Sequence, residues 1–148
     1  MEGSGRGKRV AIVSARFYAD LADLLEDGAG RALIASGVSV ADVHRYRVPG
    51  CFELPLAAQM LAARDYDAVV ALGVVIRGET PHFDFVAGEC ARGIMDVALH
   101  TGVPIGFGVL TTETRAQAEE RADPERGDKG FEAASAALSL LTLRPANV

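Results

Sequence analysis

Residues 71–84 read ALGVVIRGETPHFD, and this stretch decides the fold. It continues an apolar, β-prone run, residues 68–76, in which no polar residues alternate with the apolar ones. Such a run is typical of a central strand that a parallel sheet buries on both faces. Polar residues begin where the strand should end, and Pro81 then introduces a helix. The apolar positions of that helix share one face: Val86, Cys90, Ile94 and Val97.

His82 therefore lies at a junction between a strand and a helix. Open parallel sheets bind ligands beyond the carboxyl ends of their strands, where helix N-termini attract anions. Gly78 lets a ligand come close to the backbone, and Thr80 adds a hydroxyl beside free amide donors. A phosphate group suits this environment. The alternative is an ordinary loop in which His82 caps the helix, and position alone leaves both interpretations open.

Strands and helices alternate along the rest of the chain. β-prone runs predict further strands at residues 10–13, 43–48 and 105–110, and helical periodicity follows each of them. The order β-α-β-α-β-α-β-α-α predicts a flavodoxin-like α/β sandwich, with a four-stranded parallel sheet flanked by helices on both faces. The mixed polarity of residues 43–48 favours an edge strand, on which we expect His44 to be solvated.

Local signals mark several helix ends. Gly37 is predicted to cap the first helix at its C-terminus, and the third helix should end near Gly102. Pro55 stands near the first position of the second helix. Thr114 and Gln117 form the capping-box pattern that opens the fourth. These signals set helix boundaries without any long-range contact.

Composition limits the possible functions. The 148 residues, 49% of them hydrophobic, form one domain at residues 9–148 after a glycine-rich tail, residues 1–8, that we expect to be disordered. A net charge of -5 argues against nucleic acid as a partner. The absence of a membrane-length apolar run or signal peptide predicts a cytoplasmic protein without a membrane partner. Cys51 and Cys90 are too few for a disulfide framework and lack metal-binding neighbours, so both should be reduced.

Side chains that could take part in binding or catalysis follow the other strands as well. Phe17 is an aromatic residue in a loop, a position that usually serves packing. Glu53 precedes a helix, where a carboxylate ordinarily complements the dipole. Lys129 opposes the dipole at a helix start, which makes sense if an anion lies between them. Each residue alone has an ordinary structural interpretation.

Together these motifs resemble the lumazine synthase family, from about residue 9 to residue 143. The family's Gly-x-Val-Ile-Arg-Gly-x-Thr-x-His run is matched by Gly73, Val75, Ile76, Arg77, Gly78, Thr80 and His82. Further matches at the family's spacings are Arg16-Phe17, residues 49–55, residues 108–112 and residues 128–130. Several separate motifs in one order make a far more specific signal than a lone glycine pattern.

The resemblance implies a condensation of 5-amino-6-(D-ribitylamino)uracil with 3,4-dihydroxy-2-butanone 4-phosphate to 6,7-dimethyl-8-ribityllumazine. It implies neither a metal nor a redox cofactor. By the same resemblance His82 would be the catalytic residue that moves protons, since imidazole titrates near neutral pH. Phe17 would stack on the pyrimidine. The ribityl hydroxyls would bind to Glu53, and the phosphate to Arg121.

The resemblance also implies a shared site. The implied substrate-binding residues are Phe17, Gly50, Cys51, Phe52, Glu53, Val74, Val75, Ile76, Gly78, Glu79, Thr80, Phe107, Arg121 and Lys129. In this family the site lies between subunits, so Phe107, Arg121 and Lys129 would come from a neighbour. The chain is therefore expected to form a homo-oligomer, either a pentamer or a 60-subunit shell of pentamers.

Three positions depart from the family's usual residues. Cys51 stands where alanine is usual, Asp128 where asparagine is common, and Glu125 where lysine is frequent, so a positive charge near the phosphate is lost. Three other functions remain open beside the first. They are a riboflavin synthase of the archaeal type, a non-catalytic flavin-binding or lumazine-binding shell protein, and, less favoured, a flavodoxin-like FMN carrier.

Overall fold

The computed structural model describes residues 3–144. Within this range four strands alternate with five α-helices. The strands are β1 (Val10–Ala15), β2 (Val43–Val48), β3 (Ala68–Ile76) and β4 (Ile105–Thr112). The helices are α1 (Ala19–Ala35), α2 (Leu54–Ala62), α3 (His82–Thr101), α4 (Arg115–Ala122) and α5 (Lys129–Leu141). Two short 3-10 helices, Val40–Asp42 and Cys51–Glu53, precede β2 and α2.

All four strands are parallel, in the order β2-β1-β3-β4. This order confirms that β3 lies inside the sheet and that β2 lies at an edge. The alternation in β3 also shows why its sequence is apolar throughout. Val70 and Leu72 belong to the core on one face, whereas Val69 and Ala71 belong to the core on the other. Both faces of the strand are therefore buried, as in other parallel sheets.

Helices cover both faces of the sheet, which confirms the flavodoxin-like α/β arrangement. One core packs α1, α4 and α5 against the sheet, with Leu25 and Leu138 fully buried in it. The other core packs α2 and α3 against the opposite face, around Leu54 and Cys90. This layering leaves the carboxyl ends of the strands and the N-termini of the helices together at one rim of the sheet.

The predicted helix boundaries are confirmed where a local signal exists. Thr114 Oγ1 accepts a hydrogen bond from Gln117 N at 3.2 Å, and Gln117 Oε1 accepts one from Thr114 N at 3.4 Å. Gly102 follows α3 with φ of 71°, and Gly37 follows α1 with φ of 105°, both in the left-handed region that glycine favours. The capping chemistry therefore acts as the sequence indicates.

Strands β1 and β4 each extend two residues beyond the prediction. Ser14 pairs with Leu72 of β3, and Thr111 and Thr112 pair with Val75 and Ile76. The apolar run ends earlier than the strand in both cases, because neighbouring strands still offer backbone partners. These partners lie on β3 for Ser14, Thr111 and Thr112, and on β2 for Ala15. Side-chain periodicity does not predict these residues as part of the strands, because their pairing is made by the backbone.

The prediction that His44 is solvated is wrong. Its Nδ1 lies 2.7 Å from the Tyr66 hydroxyl, and its Nε2 lies 3.0 Å from the Ala41 carbonyl oxygen. A carbonyl only accepts, so Nε2 donates to it; in the neutral ring Nδ1 then accepts from Tyr66. Burial and a hydrogen bond with Tyr46 raise the pKa of Tyr66 to about 12. Tyr66 lies far from His44 in sequence, so only the fold reveals this contact.

Two predictions, the domain division and the cellular location, stay predictions. One is the division into a tail and a domain; in the structure Gly5 N donates to the Ser36 carbonyl oxygen at 2.9 Å. The other is the location of the protein in the cell. Among residues 3–144, no helix has the length and apolar character that crossing a membrane requires.

Candidate active site

A cavity of about 630 Å³ lies at the carboxyl ends of β1, β2 and β3. It is built from the segments that follow these strands and from the first turns of α3. Eleven of the residues singled out in the sequence line it: Phe17, Gly50, Cys51, Phe52, Glu53, Val74, Val75, Ile76, Gly78, Thr80 and His82. Segments up to 65 residues apart are therefore brought to one place by the parallel arrangement of the strands.

His82 opens α3 directly after Pro81. Its side chain is exposed, and its backbone N donates to Thr80 Oγ1 at 3.4 Å. The Thr80 hydroxyl and the imidazole thus both belong to the turn that leads into the helix. Because the N-terminus of α3 carries the positive end of the helix dipole, this corner of the cavity favours a negatively charged group.

Gly78 stands in open space in this corner. A Cβ at Gly78 would have no atom of residues 3–144 within 4 Å, apart from its immediate neighbours. The packing of the single chain therefore does not require glycine at this position. The space is available to a group from outside the chain.

The segment after β2 is held by one of its own side chains. Glu53 Oε1 accepts a hydrogen bond from Gly50 N at 2.9 Å, which closes the short turn before α2. Phe52 is exposed, whereas Cys51 is buried and its thiol faces the Val74 carbonyl oxygen at 3.8 Å. One carboxylate oxygen of Glu53 thus holds the turn, and the other makes no hydrogen bond with residues 3–144.

The two cysteines are neighbours in one buried core, and Cys51 also lines the cavity. Cys51 belongs to the segment after β2, and Cys90 lies on α3. A hydrogen bond with Cys51, together with burial, raises the pKa of the Cys90 thiol, which therefore stays protonated. Both cysteines are free, and residues 3–144 contain no cluster of side chains that could hold a metal ion.

The remaining predicted site residues lie outside this cavity. Phe107 and Lys129 line a separate cavity of about 330 Å³ between β4 and α5. Lys129 Nζ lies 3.0 Å from Glu132 Oε2, so its charge is paired within α5. Arg121, at the end of α4, and Glu79 line neither cavity. In a single chain eleven of the predicted residues thus line the main cavity, and four lie away from it.

Arg121 and Arg126 differ in their availability to an anion. Arg126 Nε donates to Asp123 Oδ2 at 3.0 Å, so its charge is engaged. A backbone hydrogen bond from Glu125 N, followed by the one from Arg126, lowers the pKa of the Asp123 carboxyl. The Arg121 side chain is exposed and forms no hydrogen bond or ion pair in the described part of the chain. Arg121 is therefore the unpaired cation of this loop region.

Four residues that line the main cavity are not among the predicted site residues. They are Tyr18, Phe83, Phe85 and Val86. Phe85 is 68% exposed, an unusual state for phenylalanine. The sequence feature that could have indicated Phe83 and Phe85 as cavity residues is their position in the first turn of α3, directly after His82. The guanidinium of Arg77 lies over the Phe83 ring at 4.4 Å from its centroid, which fixes that ring.

Comparison with known proteins agrees with this geometry. The family model described as 6,7-dimethyl-8-ribityllumazine synthase matches residues 7–144. A 6,7-dimethyl-8-ribityllumazine synthase of Kineococcus radiotolerans is 57% identical over 140 residues, which cover 93% of this chain and 86% of that protein. One of Desulfotalea psychrophila is 51% identical over 138 residues, 93% of this chain and 89% of that protein. On this similarity and on its α/β fold, the chain belongs to the 6,7-dimethyl-8-ribityllumazine synthase family.

Proposed function

We propose that this chain condenses 5-amino-6-(D-ribitylamino)uracil with 3,4-dihydroxy-2-butanone 4-phosphate to 6,7-dimethyl-8-ribityllumazine. Phosphate and water are the other products, so the enzyme is a transferase of riboflavin biosynthesis. The observation that carries the proposal is the cavity at the carboxyl ends of three strands, which gathers an exposed imidazole, an exposed aromatic ring and a carboxylate. The imidazole can transfer protons, the aromatic ring can stack on a flat heterocycle, and the carboxylate can accept hydrogen bonds from a polyhydroxyl chain.

His82 is the proposed catalytic residue. The amine of the pyrimidine attacks the ketone of the butanone, and both imine formation and loss of phosphate require protons to move. The imidazole of His82 is exposed to the cavity at the start of α3, beside the Thr80 hydroxyl. A group that exchanges protons near neutral pH is well suited to serve both steps in turn.

The pyrimidine substrate is proposed to bind between the first two strand ends. The Phe17 ring is 76% exposed, which leaves most of its surface available for stacking. It stands nearly perpendicular to the Tyr18 ring, with 4.9 Å between the ring centroids. Glu53 uses one oxygen to hold Gly50 N and keeps the other for a ribityl hydroxyl. The ribityl chain would thus lie along a turn whose geometry is already fixed.

The phosphate is proposed to bind to the open backbone at Gly78, the Thr80 hydroxyl and the guanidinium of an Arg121. Gly78 supplies the open backbone and Thr80 the hydroxyl, both in the main cavity. Arg121 supplies a guanidinium without a partner among residues 3–144, but it lies outside this cavity. A neighbouring copy therefore has to bring its Arg121 to the phosphate of this chain.

A head-to-tail homo-oligomer follows from this division, and we propose a pentamer. Phe107 and Lys129, like Arg121, would serve the site of the next subunit. The apolar surface that a neighbour would cover surrounds a groove of about 600 Å³, and its most exposed large residues are Met95, Leu99, Phe107, Leu140 and Leu143. Monomeric proteins rarely expose so many large apolar side chains together. We also propose a cytoplasmic location, which agrees with two free cysteines.

The test is incubation of the purified protein with both substrates while lumazine absorbance and fluorescence are recorded. Formation of lumazine that requires both substrates and releases one phosphate per product supports the proposal. Two further incubations separate the alternatives. Conversion of purified lumazine to riboflavin would indicate a riboflavin synthase instead. Tight binding of lumazine or flavin without any condensation would indicate a non-catalytic binding protein.

A further inference from the structure

Glu26 of α1 is a buried carboxylate that the proposed reaction does not use. The residue is 5% exposed, and its Oε2 accepts hydrogen bonds from Ser14 Oγ at 2.5 Å and from Arg16 Nη1 at 2.8 Å. Ser14 is itself fully buried in β1. A charge in such a place is costly unless it is paired and hydrogen-bonded. The role of the Glu26 carboxylate is therefore inferred from the side chains that pair with it.

Three arginines face Glu26, and Arg16 is the closest and least exposed of them. Arg16 is 19% exposed, whereas Arg45 and Arg47 of the edge strand β2 are 45% and 60% exposed. They approach the carboxylate to 3.5 Å and 3.8 Å. Apolar side chains of similar volume often stabilise a core as well as a buried ion pair does. Stability alone therefore does not explain a carboxylate at this position.

Arg16 is fixed through its backbone as well as its side chain. Its backbone N donates to the Val48 carbonyl oxygen at 2.9 Å, and its Nη2 donates to Asp23 Oδ1 at 2.6 Å. Phe17 follows at once, with its ring 76% exposed in the main cavity. The N-terminus of α1 at Tyr18 has no side-chain cap. Arg16 is thus the anchor of the short connection that carries Phe17.

We propose that Glu26 is a positioning residue that acts through Arg16 to hold Phe17 where the pyrimidine substrate binds. The inference rests on the proposed function. Loss of the Glu26 charge leaves the guanidinium of Arg16 with the exposed Asp23 as its main partner, so the connection becomes mobile. The ring then has to be ordered when the substrate binds, which lowers affinity for that substrate alone.

The first test is the steady-state kinetics of Glu26→Gln, with each substrate varied in turn. We expect KM for the pyrimidine to rise about 3- to 10-fold, while kcat and KM for the butanone phosphate stay within about twofold. Asp27→Asn is the matched control, because Asp27 is the next residue on α1 and pairs with Arg31 instead, at 2.9 Å. The control should keep both KM values.

A second variant guards against misfolding of the first. Ser14→Val combined with Glu26→Leu fills the same buried space with apolar groups and removes the hydroxyl and the carboxylate together. We expect this protein to fold, with thermal unfolding at least as high as that of Glu26→Gln. Its KM for the pyrimidine should rise at least as much, since Arg16 loses both buried partners.

Hydrogen exchange gives a readout that does not depend on activity. The Arg16 amide, which donates to Val48, should exchange about 3- to 10-fold faster in both Glu26 variants and at the original rate in Asp27→Asn. Unchanged exchange, an unchanged pyrimidine KM, or equal rises of both KM values in a folded variant would overturn the inference. If the unaltered protein makes no lumazine, the proposed function fails, and exchange at Arg16 still decides whether Glu26 holds this connection.

Discussion

The Cys51 thiol occupies the space that a side chain at Gly73 would need. A Cβ at Gly73 would lie 2.6 Å from Cys51 Sγ and 3.2 Å from Ala15 Cβ, both too close for ordinary contact. A Cβ at Gly78, five residues further along the same motif, would meet no atom of the described residues within 4 Å. Glycine at the two positions of one motif thus has different physical reasons. At Gly73 the Cys51 side chain fills the space that a larger residue would need, and at Gly78 the open space can take a group from outside the chain.

Gly73→Ala should destabilise the protein because the added methyl group overfills a packed core. We expect a loss of about 1 to 3 kcal/mol in the free energy of unfolding, measured by chemical denaturation. Cys51→Ala in the same chain should recover part of the loss, since it removes the closest clashing atom. Additive effects of Gly73→Ala and Cys51→Ala would show that the two side chains do not compete for space.

Gly78→Ala should leave the free energy of unfolding within about 0.5 kcal/mol of its original value, since the methyl group meets no atom in the described part of the chain. If Gly78 faces the phosphate, the same substitution should raise KM for the butanone phosphate about 3- to 10-fold. Steady-state kinetics with each substrate varied in turn checks this result. An unchanged KM would place the phosphate elsewhere.

His82→Ala should slow the condensation about 10- to 100-fold at saturating substrate, with little change in ligand binding. General acid-base groups contribute about 10²- to 10⁴-fold, and an effect at the low end or below is expected because the amine and the ketone already react readily. His100→Ala is the matched control, since His100 is exposed near the far end of the same helix. A variant at position 82 with the original rate would exclude His82 from proton transfer.

Arg121→Ala should mainly raise KM for the butanone phosphate. A phosphate anchor binds the ground state and the transition state about equally, so kcat should change little. Inorganic phosphate should compete with that substrate in the unaltered protein and compete less in the variant. Arg126→Ala serves as the control, because Arg126 is engaged by Asp123 in the same loop region. Equal effects of the two substitutions would indicate that the arginines attract the phosphate only through their overall positive charge, without a specific contact from Arg121.

Mixed oligomers test whether sites are shared between subunits. His82→Ala and Arg121→Ala chains are unfolded together in equal amounts, refolded, and assayed at a butanone phosphate concentration at which each variant alone is nearly inactive. In a head-to-tail ring with random mixing, about a quarter of the interfaces pair an intact His82 with an intact Arg121. Activity should therefore rise above that of either parent. No rise, despite mass-spectrometric proof of mixing, would contradict a shared site.

The sequence by itself determined the order of elements, because strands and helices are encoded by periodicity and by the backbone chemistry of single residues. The limits of β3 and α4 follow from residues inside or beside them, such as Thr114 and Gln117. The segments that follow β1, β2 and β3 could also be assigned to one cavity, because parallel strands bring their carboxyl ends to one rim. These features need only local chemistry and topology.

Only the tertiary structure decided which side chains meet. His44 contacts Tyr66, and Cys51 limits the residue at Gly73, although more than 20 residues separate each pair. The structure also showed that Arg121 lies outside the cavity that holds His82. No periodicity records such relationships, because each depends on how helices settle on a twisted sheet and on the exact space left between them.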